Sequence, residues 1–185
     1  MKTMLGGSLK ISHLSEEVET LLRSAMKQGD HFVVGDAPGA DALFQKILKE
    51  SGFVNVEVFF SGAKPRFNLG AWRSVHIDSG LRGKGHAMHG AKDRKMVEDS
   101  GKGLFAWDGI SVGTVANAMD LFGQGKPFAL VAQERSGALI INDLMTLSSR
   151  SPSIFNQAEK RLAAATRRAA KRNREAGESS PTTLF

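Results

Sequence analysis

Three glycine-rich segments carry the residues whose types and spacing favour ligand binding: "GGS" at 6–8, "GDAPGAD" at 35–41 and "DGISVGT" at 108–114. Glycine lets a backbone approach a ligand closely, and a helix that begins directly after such a turn presents unpaired N–H groups and a partial positive charge. Each segment therefore predicts an anion site, whose usual occupant is phosphate. A tight strand-to-helix turn that needs glycine for geometry alone is the alternative. The candidate ligand-binding residues are Gly6, Gly7, Ser8, Gly35, Asp36, Gly39, Ala40, Asp41, Arg94, Asp108, Ser111, Gly113 and Thr114.

The aspartates of these segments indicate more than a phosphate site. Asp36, Asp41 and Asp108 would repel phosphate, but a carboxylate accepts two hydrogen bonds and suits the hydroxyl pair of a ribose. We therefore predict a ligand whose phosphate lies on the glycines and whose ribose lies on an aspartate. The alternative for Asp41 and Asp108 is that they cap helices or brace their own loops.

Several site classes find no support in the sequence. The glycine segments lack the Gly-Lys-Ser/Thr of a P-loop and the GxGxxG of a dinucleotide fold, which disfavours an NTPase motor and a nicotinamide dehydrogenase. The chain has no cysteine, so disulfides and thiolate metal sites are excluded. His86 and His89 form an H-x-x-H pair, but a third ligand is not evident. We expect neither a metal nor a cofactor.

The elements that position these turns alternate between strand and helix. Apolar runs predict strands at 2–5, 31–34, 54–60, 103–107 and 127–133, and helical periodicity predicts helices after Ser15, from about Ala40, at 87–99 and at 115–125. This alternation predicts an α/β fold of Rossmann-like, doubly wound type. It has a mainly parallel sheet of about five or more strands, helices on both faces and an additional C-terminal helix.

The domain organisation follows from composition. Residues 1–150 are expected to form one nucleotide-binding domain, 151–176 a basic helix and 177–185 a disordered tail. The chain carries a formal charge of +6, of which +4 lies in 151–185 and +2 in 1–150. A nearly neutral body argues against wrapping by nucleic acid, and no apolar run is long enough to span a membrane. We expect a cytoplasmic protein.

The segments "VVGDAPGADALF" and "LFAWDGISVGTVANAMDLFGQGKPFALV" resemble the SLOG superfamily of Rossmann-like proteins. It includes the DNA-processing protein A fold, the LOG-type nucleotide hydrolases and small YspA-like domains of unknown function, which are the most similar. The resemblance covers roughly residues 1–135. It implies that Gly35, Gly39, Asp41, Gly113 and Thr114 line a site for a nucleotide or nucleotide derivative. It also implies a role in sensing or processing such ligands, often in bacterial conflict systems.

The resemblance leaves binding and cleavage open. LOG-type enzymes cleave the N-glycosidic bond of nucleoside monophosphates, with an Arg-Lys-x-x-Met stretch and a Gly-Thr followed three residues on by Glu. This chain has "RKM" at 94–96 and Asn117 in place of that Glu. An amide cannot replace a carboxylate beside an oxocarbenium-like transition state, so we favour binding over hydrolysis. If the protein is an enzyme, Asp108 and Arg94 are the catalytic candidates, because the helix register places Arg94 near the Asp108 loop.

The remaining cations suggest partners. Residues 64–95 include many Lys and Arg, which indicates either a cationic lid over a polyanionic ligand, such as an ADP-ribose-like dinucleotide, or a solvated loop. The C-terminal helix offers a surface for nucleic acid, and a single-stranded nucleic-acid binder is the third function considered. Alternatively, Phe155 and Leu162 pack on a neighbouring subunit, which favours a homo-oligomer, most simply a dimer. The basic residues of that helix are Arg167, Arg168, Lys171, Arg172 and Arg174.

Overall fold

The computed structural model describes residues 1–78, 86–134 and 137–178. Within this part of the chain, strands and helices alternate along most of the sequence. In order they are β1 Lys2–Gly7, α1 Glu16–Lys27, β2 His31–Gly35, α2 Ala40–Glu50, β3 Val56–Phe60, β4 Arg73–His76, α3 His86–Asp99, β5 Lys102–Trp107, α4 Val112–Gly123, β6 Phe128–Glu134, β7 Gly137–Ile141, α5 Leu144–Arg150 and α6 Pro152–Glu178.

All seven strands belong to one sheet in the order β4-β3-β2-β1-β5-β6-β7. Every neighbouring pair is parallel except β6 and β7, which are antiparallel. Helices cover both faces, so the predicted α/β, Rossmann-like, doubly wound fold is confirmed. None of the described helices is both long enough and apolar enough to pass through a membrane.

The central strands are buried on both faces, and their alternation divides the core in two. Met4 and Phe105 point to a cluster that packs against α3, α4, α5 and α6. Leu5 and Phe32 point to a second cluster that packs against α1 and α2. Strands covered on both sides read as continuous apolar runs, which is why the sequence reveals them.

The strand order creates a crevice beside β1. From β1 the chain proceeds outward through β2 and β3 to β4, then returns to place β5 on the other side of β1. The connections after β1 and β5 therefore lead in opposite directions and separate at the carboxyl ends of these two strands. Ligands of open parallel sheets bind in such a crevice.

The start of α2 shows why glycine is required at position 39. Gly39 has φ +76, a conformation that L side chains rarely adopt. A Cβ there would also overlap the backbone carbonyls of Ser8 and Leu9. This close approach allows the Ala40 N–H to donate to the Ser8 carbonyl at 3.1 Å, which ties the start of α2 to the end of β1.

The structure adds three elements to those predicted, namely β4, β7 and α5. β4 lies in the connection after β3, where the sequence predicts no element. It is a short edge strand in which Ser74 and His76 are exposed, so it has no apolar pattern to detect. Helix α4 begins at Val112 rather than 115, and β3 begins at Val56 rather than 54.

The C-terminal helix α6 packs along α4. Phe155 and Leu162 contact the hydrophobic core of their own chain, around the buried Ala158. Their packing is thus explained without a second subunit. The dimer stays a prediction that these two side chains do not support. The structure describes α6 to Glu178; the remainder of the expected disordered tail, 179–185, and the side chains of Arg172 and Arg174 lie outside the described residues.

Candidate functional site

A cavity of about 550 Å³ opens at the carboxyl end of β1, in the crevice between β1 and β5. It is therefore located where the topology predicts a ligand. The lining residues are Met4, Leu5, Gly6, Gly7, Leu9, Ala37, Asp41, Arg66, Lys92, Asp93, Met96, Ser111, Val112, Gly113, Thr114, Asn117 and Arg161.

The cavity brings together only some of the residues predicted from the sequence. Those that line it are Gly6, Gly7, Asp41, Ser111, Gly113 and Thr114. Those outside its lining are Ser8, Gly35, Asp36, Gly39, Ala40, Arg94 and Asp108. All three glycine-rich segments nevertheless meet at this edge of the sheet, since Gly39 contacts the backbone of Ser8 and Leu9 and Ser8 contacts Asp108.

A buried lysine is the centre of the charged part of the cavity. The Nζ of Lys92 lies 3.4 Å from Asp36, 3.9 Å from Asp93 and 4.0 Å from Asp41, and Lys92 is only 3% exposed. Burial alone would lower the pKa of Lys92, but the carboxylates of Asp41, Asp93 and Asp36 outweigh it and raise the pKa. The ammonium is therefore a permanent internal cation that holds three carboxylates together.

Both carboxylate oxygens of Asp36 accept hydrogen bonds from Arg66. The Arg66 guanidinium donates to both of its carboxylate oxygens at 3.0 and 3.1 Å, and the Arg66 backbone N–H donates at 3.2 Å. Burial alone would raise the pKa of Asp36, but the Arg66 hydrogen bond and the Lys92 charge lower it to about 2. Asp36 thus anchors the connection between β3 and β4, and its charge is compensated.

Asp41 is the carboxylate with the unusual protonation equilibrium. Burial raises its pKa to about 6, although the Lys92 charge and a 3.2 Å hydrogen bond from the Ala37 N–H act in the opposite direction. Because Asp41 lines the cavity, it can accept ligand hydrogen bonds when ionised and can exchange a proton near neutral pH.

The connection between β3 and β4 is held in place by Gln45. This fully buried side chain donates to the carbonyls of Gly35 and Phe67 at 2.8 and 3.3 Å, and accepts from the Leu69 N–H at 3.0 Å. The part of the predicted cationic lid that holds Arg66 is therefore fixed to the body. Residues 79–85 of that lid, with Arg82 and Lys84, lie outside the described residues.

Asp108 braces its own loop. Its Oδ1 accepts from the Ser8 hydroxyl at 2.9 Å and from the backbone N–H of Ile110 and Ser111 at 3.1 and 2.8 Å. Trp107 is buried, and its indole Nε1–H donates to the Ser111 carbonyl at 3.1 Å. These contacts set the position at which α4 begins. They match the bracing role that was the alternative to ligand binding for Asp108.

The first turn of α4 forms the opposite wall of the cavity. Its N-cap Ser111 makes no side-chain capping bond, and the first N–H groups of a helix have no intrahelical acceptor. Asn117, one turn on, also lines the cavity. The Arg161 guanidinium, from α6, lies 3.1 Å from the point where a Cβ on Gly113 would be. Amides and a guanidinium make this wall suitable for an anion.

Sequence reasoning missed Asp93 and Arg161, and it treated Arg66 and Lys92 only as members of a charge run. For Lys92 and Arg161, the spacing along the helix offers a signal in the sequence. Lys92 is four residues before the buried Met96, on the buried side of α3, and Arg161 interrupts the apolar stripe of Ala158 and Leu162. A cation within the buried stripe of a helix indicates an internal partner or a ligand.

Comparison with known proteins found no matching protein-family model, no similar curated protein and no similar solved structure. The resemblance to the SLOG superfamily therefore stays a prediction that these comparisons do not test. Among the described residues, no group of three or more His, Asp or Glu side chains is arranged to hold a metal ion. The side chains of His86 and His89 are outside that described part.

Proposed function

We propose that this protein binds a nucleotide or a nucleotide-derived ligand, possessing a phosphate and a ribose, as a sensor or processing module. The observation that carries the proposal is the pairing of two chemically different walls in one cavity. Arg161 and the first turn of α4 form one wall, and Asp41 and Asp93 form part of the other. A phosphorylated sugar offers an anion to the first and hydroxyl groups to the second.

The phosphate is assigned to the α4 wall. The partial positive charge of a helix N-terminus favours an anion, and Gly113 has no side chain to keep a phosphate away from the backbone amides. Arg161 adds a planar donor whose geometry suits two phosphate oxygens. This wall is thus complementary to a phosphate in both charge and hydrogen-bond donors.

The ribose is assigned to Asp41 rather than to the other aspartates considered from the sequence. Asp36 already accepts three hydrogen bonds from Arg66, and Asp108 accepts from its own loop. Asp41 accepts only the Ala37 N–H among the described residues and faces the cavity. Its free acceptor capacity suits a hydroxyl pair.

The remaining cavity wall is apolar and suits a base. Leu9 and Met96 line it, and such side chains pack against the faces of planar rings. A volume of about 550 Å³ falls within the roughly 300–1,000 Å³ that small-molecule sites occupy.

Thermal denaturation with added ligands tests the proposal. AMP, NAD and ADP-ribose are compared with adenosine and ribose 5-phosphate, because a ligand that binds only the folded state raises the melting temperature. We expect at least one phosphorylated nucleotide to raise it, and Asp41→Asn to reduce the shift. Asp120→Asn, in the outer part of α4, is the matched control. If all five probes leave the melting temperature unchanged, the proposal is contradicted.

Hydrolysis of the ligand is the second candidate function, and one observation favours it. Asp41 and Asp93 both line the cavity within 4.0 Å of the same ammonium, and a pKa of about 6 lets Asp41 transfer a proton at neutral pH. Asp108 and Arg94, the catalytic candidates from the sequence, do not line the cavity. Incubation with AMP, NAD and ADP-ribose, followed by assay of released base and phosphate, separates the two functions. If the wild type turns over one of these compounds and Asp41→Asn does not, the protein is a hydrolase and not only a binding module.

A further inference from the structure

Arg161 differs from the other cations of the cavity in having no counter-charge among the residues that the structure describes. Arg66 and Lys92 both contact the Asp36 carboxylate. Arg161 forms no hydrogen bond or ion pair with any residue in the described part of the chain, although its side chain is half-buried. A partly desolvated guanidinium without an acceptor is unfavourable.

The location of Arg161 adds to this electrostatic cost. Its guanidinium lies beside Gly113 in the first turn of α4, where the helix presents its positive end. A cation is expected at the C-terminal end of a helix, not at this end. The arrangement becomes favourable when an anion lies between the guanidinium and the amides, because both then act on the same charge.

The backbone of Arg161 is held firmly enough to position the side chain. Phe155 and Leu162 pack against the core, and Ala158 is completely buried. Arg161 is one turn after Ala158 and therefore faces α4. The packed apolar residues on both sides of Arg161 thus direct the base of its side chain towards α4.

We propose that Arg161 is the residue that determines specificity for a phosphate group in the cavity, so that the C-terminal helix α6 is part of the binding site. The identification of the ligand as a nucleotide depends on the proposed function; the phosphate contact does not. A bound phosphate contacts α4 and α6 together, and the ligand therefore also stabilises the docking of α6 on the body.

The test compares Arg161→Gln and Arg161→Lys with Lys160→Gln. Lys160 is an exposed neighbour that does not line the cavity, so its substitution removes the same charge outside the site. The probes are AMP, adenosine and inorganic pyrophosphate, titrated by calorimetry at constant ionic strength. We expect Arg161→Gln to weaken AMP and pyrophosphate roughly 10- to 100-fold, as for loss of a charged hydrogen bond, and to change adenosine less than about twofold. Arg161→Lys should retain part of the affinity, and Lys160→Gln nearly all of it.

Two further readouts separate a ligand contact from a structural role. The melting temperature of the ligand-free Arg161→Gln protein should equal or exceed that of the wild type, because an uncompensated cation is removed. Hydrogen exchange over residues 154–165 should slow when pyrophosphate is added to the wild type and should not change for Arg161→Gln. A lower melting temperature without ligand, or an equal loss of adenosine and AMP binding, would overturn the inference.

The possible failures are distinguishable. Nucleotide binding that Arg161→Gln does not affect contradicts this inference and leaves the proposed function intact. A second outcome is that pyrophosphate binding depends on Arg161, while AMP binds no better than pyrophosphate and adenosine does not bind. This outcome supports the present inference and contradicts the nucleotide proposal. Absence of binding for all three probes contradicts this inference, and it contradicts the proposed function as well if NAD, ADP-ribose and ribose 5-phosphate also leave the melting temperature unchanged.

Discussion

Ser8 and Asp108 exchange hydrogen bonds across the sheet although they are 100 positions apart in the chain. The Ser8 hydroxyl donates to Asp108 Oδ1 at 2.9 Å and accepts from the Asp108 N–H at 3.1 Å. Ser8 directly follows β1 and Asp108 directly follows β5, so this pair joins the two strand ends between which the cavity opens. The Oδ1 of Asp108 also accepts from the Ser111 N–H at 2.8 Å, which extends the connection to the N-cap of α4.

Replacement of Asp108 by alanine should therefore lower the free energy of unfolding, because Asp108 holds the two strand ends together and does not line the cavity. It leaves the Ser111 N–H without its acceptor, and it leaves the buried Ser8 hydroxyl only the longer contact of 3.4 Å with Thr114 Oγ1. Each unpaired group costs about 1–3 kcal/mol when buried. We expect the free energy of unfolding in urea to fall by about 2 kcal/mol. Asp120→Ala, whose carboxylate accepts from Gln124 on the surface, should change it by no more than about 0.5 kcal/mol. Equal effects of the two substitutions would contradict the bracing role.

The sequence predicts the central part of this fold well because of where its strands lie. β1, β2 and β5 are covered on both faces, so their apolar runs stand out. The turns after them need glycine for reasons that are visible locally, as at Gly39. The meeting of the three glycine segments follows from parallel topology alone, since the carboxyl ends of neighbouring parallel strands share one edge.

The charged cluster could not be predicted in the same way. Its contacts join positions far apart in the chain, such as Asp36 with Lys92 and Asp36 with Arg66, and local patterns do not report such pairs. A lysine in a charged segment is usually solvated, and although the spacing of Lys92 and Met96 indicates burial, it does not show which carboxylates Lys92 contacts. Similarly, Arg161 reaches the cavity only because α6 packs along α4, which a helix pattern does not reveal.

Removal of the internal cation should destabilise the protein strongly and in a pH-dependent manner. Lys92→Met leaves Asp41 and Asp93 without the ammonium near them and leaves Asp36 with Arg66 as its only cation in the cavity wall. Loss of one partner from a buried ion network costs about 3–5 kcal/mol. We expect this loss at pH 8 and a smaller one at pH 5, where the crowded carboxylates take up protons. Urea unfolding at both pH values measures it.

The matched control is Lys95→Met, three residues further along α3. Lys95 is well exposed and pairs with Asp99 at 3.1 Å on the surface, and such surface pairs contribute little. Its substitution should change the free energy of unfolding by less than about 1 kcal/mol at either pH. A loss for Lys92→Met as small as this would show that the buried network does not depend on its cation.

Asp41 should make stability decrease as pH rises through the mildly acidic range. Its folded-state pKa is raised to about 6 from 3.8, so its contribution is fully present below about pH 4 and is lost as pH rises through 6. A difference of about two pKa units corresponds to roughly 3 kcal/mol. We expect Asp41→Asn to remove this decline between pH 4.5 and 7.5, measured by urea unfolding.

Asp36 does not obscure that measurement. Its folded-state pKa is lowered to about 2, so the stability it contributes is present above about pH 4 and is lost only as pH falls further. Asp120→Asn should keep the wild-type pH profile. If Asp41→Asn also keeps it, the ionisation of Asp41 is not coupled to folding.

Gly35 should be intolerant of any side chain, because of the charged cluster and not because of its backbone conformation. A Cβ there would overlap the Asp41 carboxylate and lie 2.6 Å from Lys92 Nζ. Gly35→Ala must displace both groups, and we expect a loss of about 2 kcal/mol or more in urea unfolding. Gly123→Ala, with open space around it at the end of α4, should be neutral or slightly stabilising. Equal stability of the two variants would show that the cluster can rearrange freely.

Gly113 should show the opposite behaviour, with stability retained and binding lost. A Cβ there would lie 3.1 Å from Nη1 and 3.5 Å from Cζ of Arg161, and this flexible side-chain end can move away. Alanine also favours the helix by up to about 1 kcal/mol, so the free energy of unfolding should not fall. The methyl group both displaces the guanidinium and covers the first-turn amides, so we expect pyrophosphate affinity to fall roughly tenfold or more by calorimetry.

Combination with Arg161→Gln shows whether the two residues act on the same phosphate. When two substitutions disturb one contact, their effects are not additive. Gly113→Ala should therefore cost less affinity in the Arg161→Gln background than in the wild type, while Gly123→Ala should leave pyrophosphate affinity unchanged in both. Fully additive losses would mean that Gly113 and Arg161 contact different groups, and the shared phosphate position between α4 and α6 would have to be abandoned.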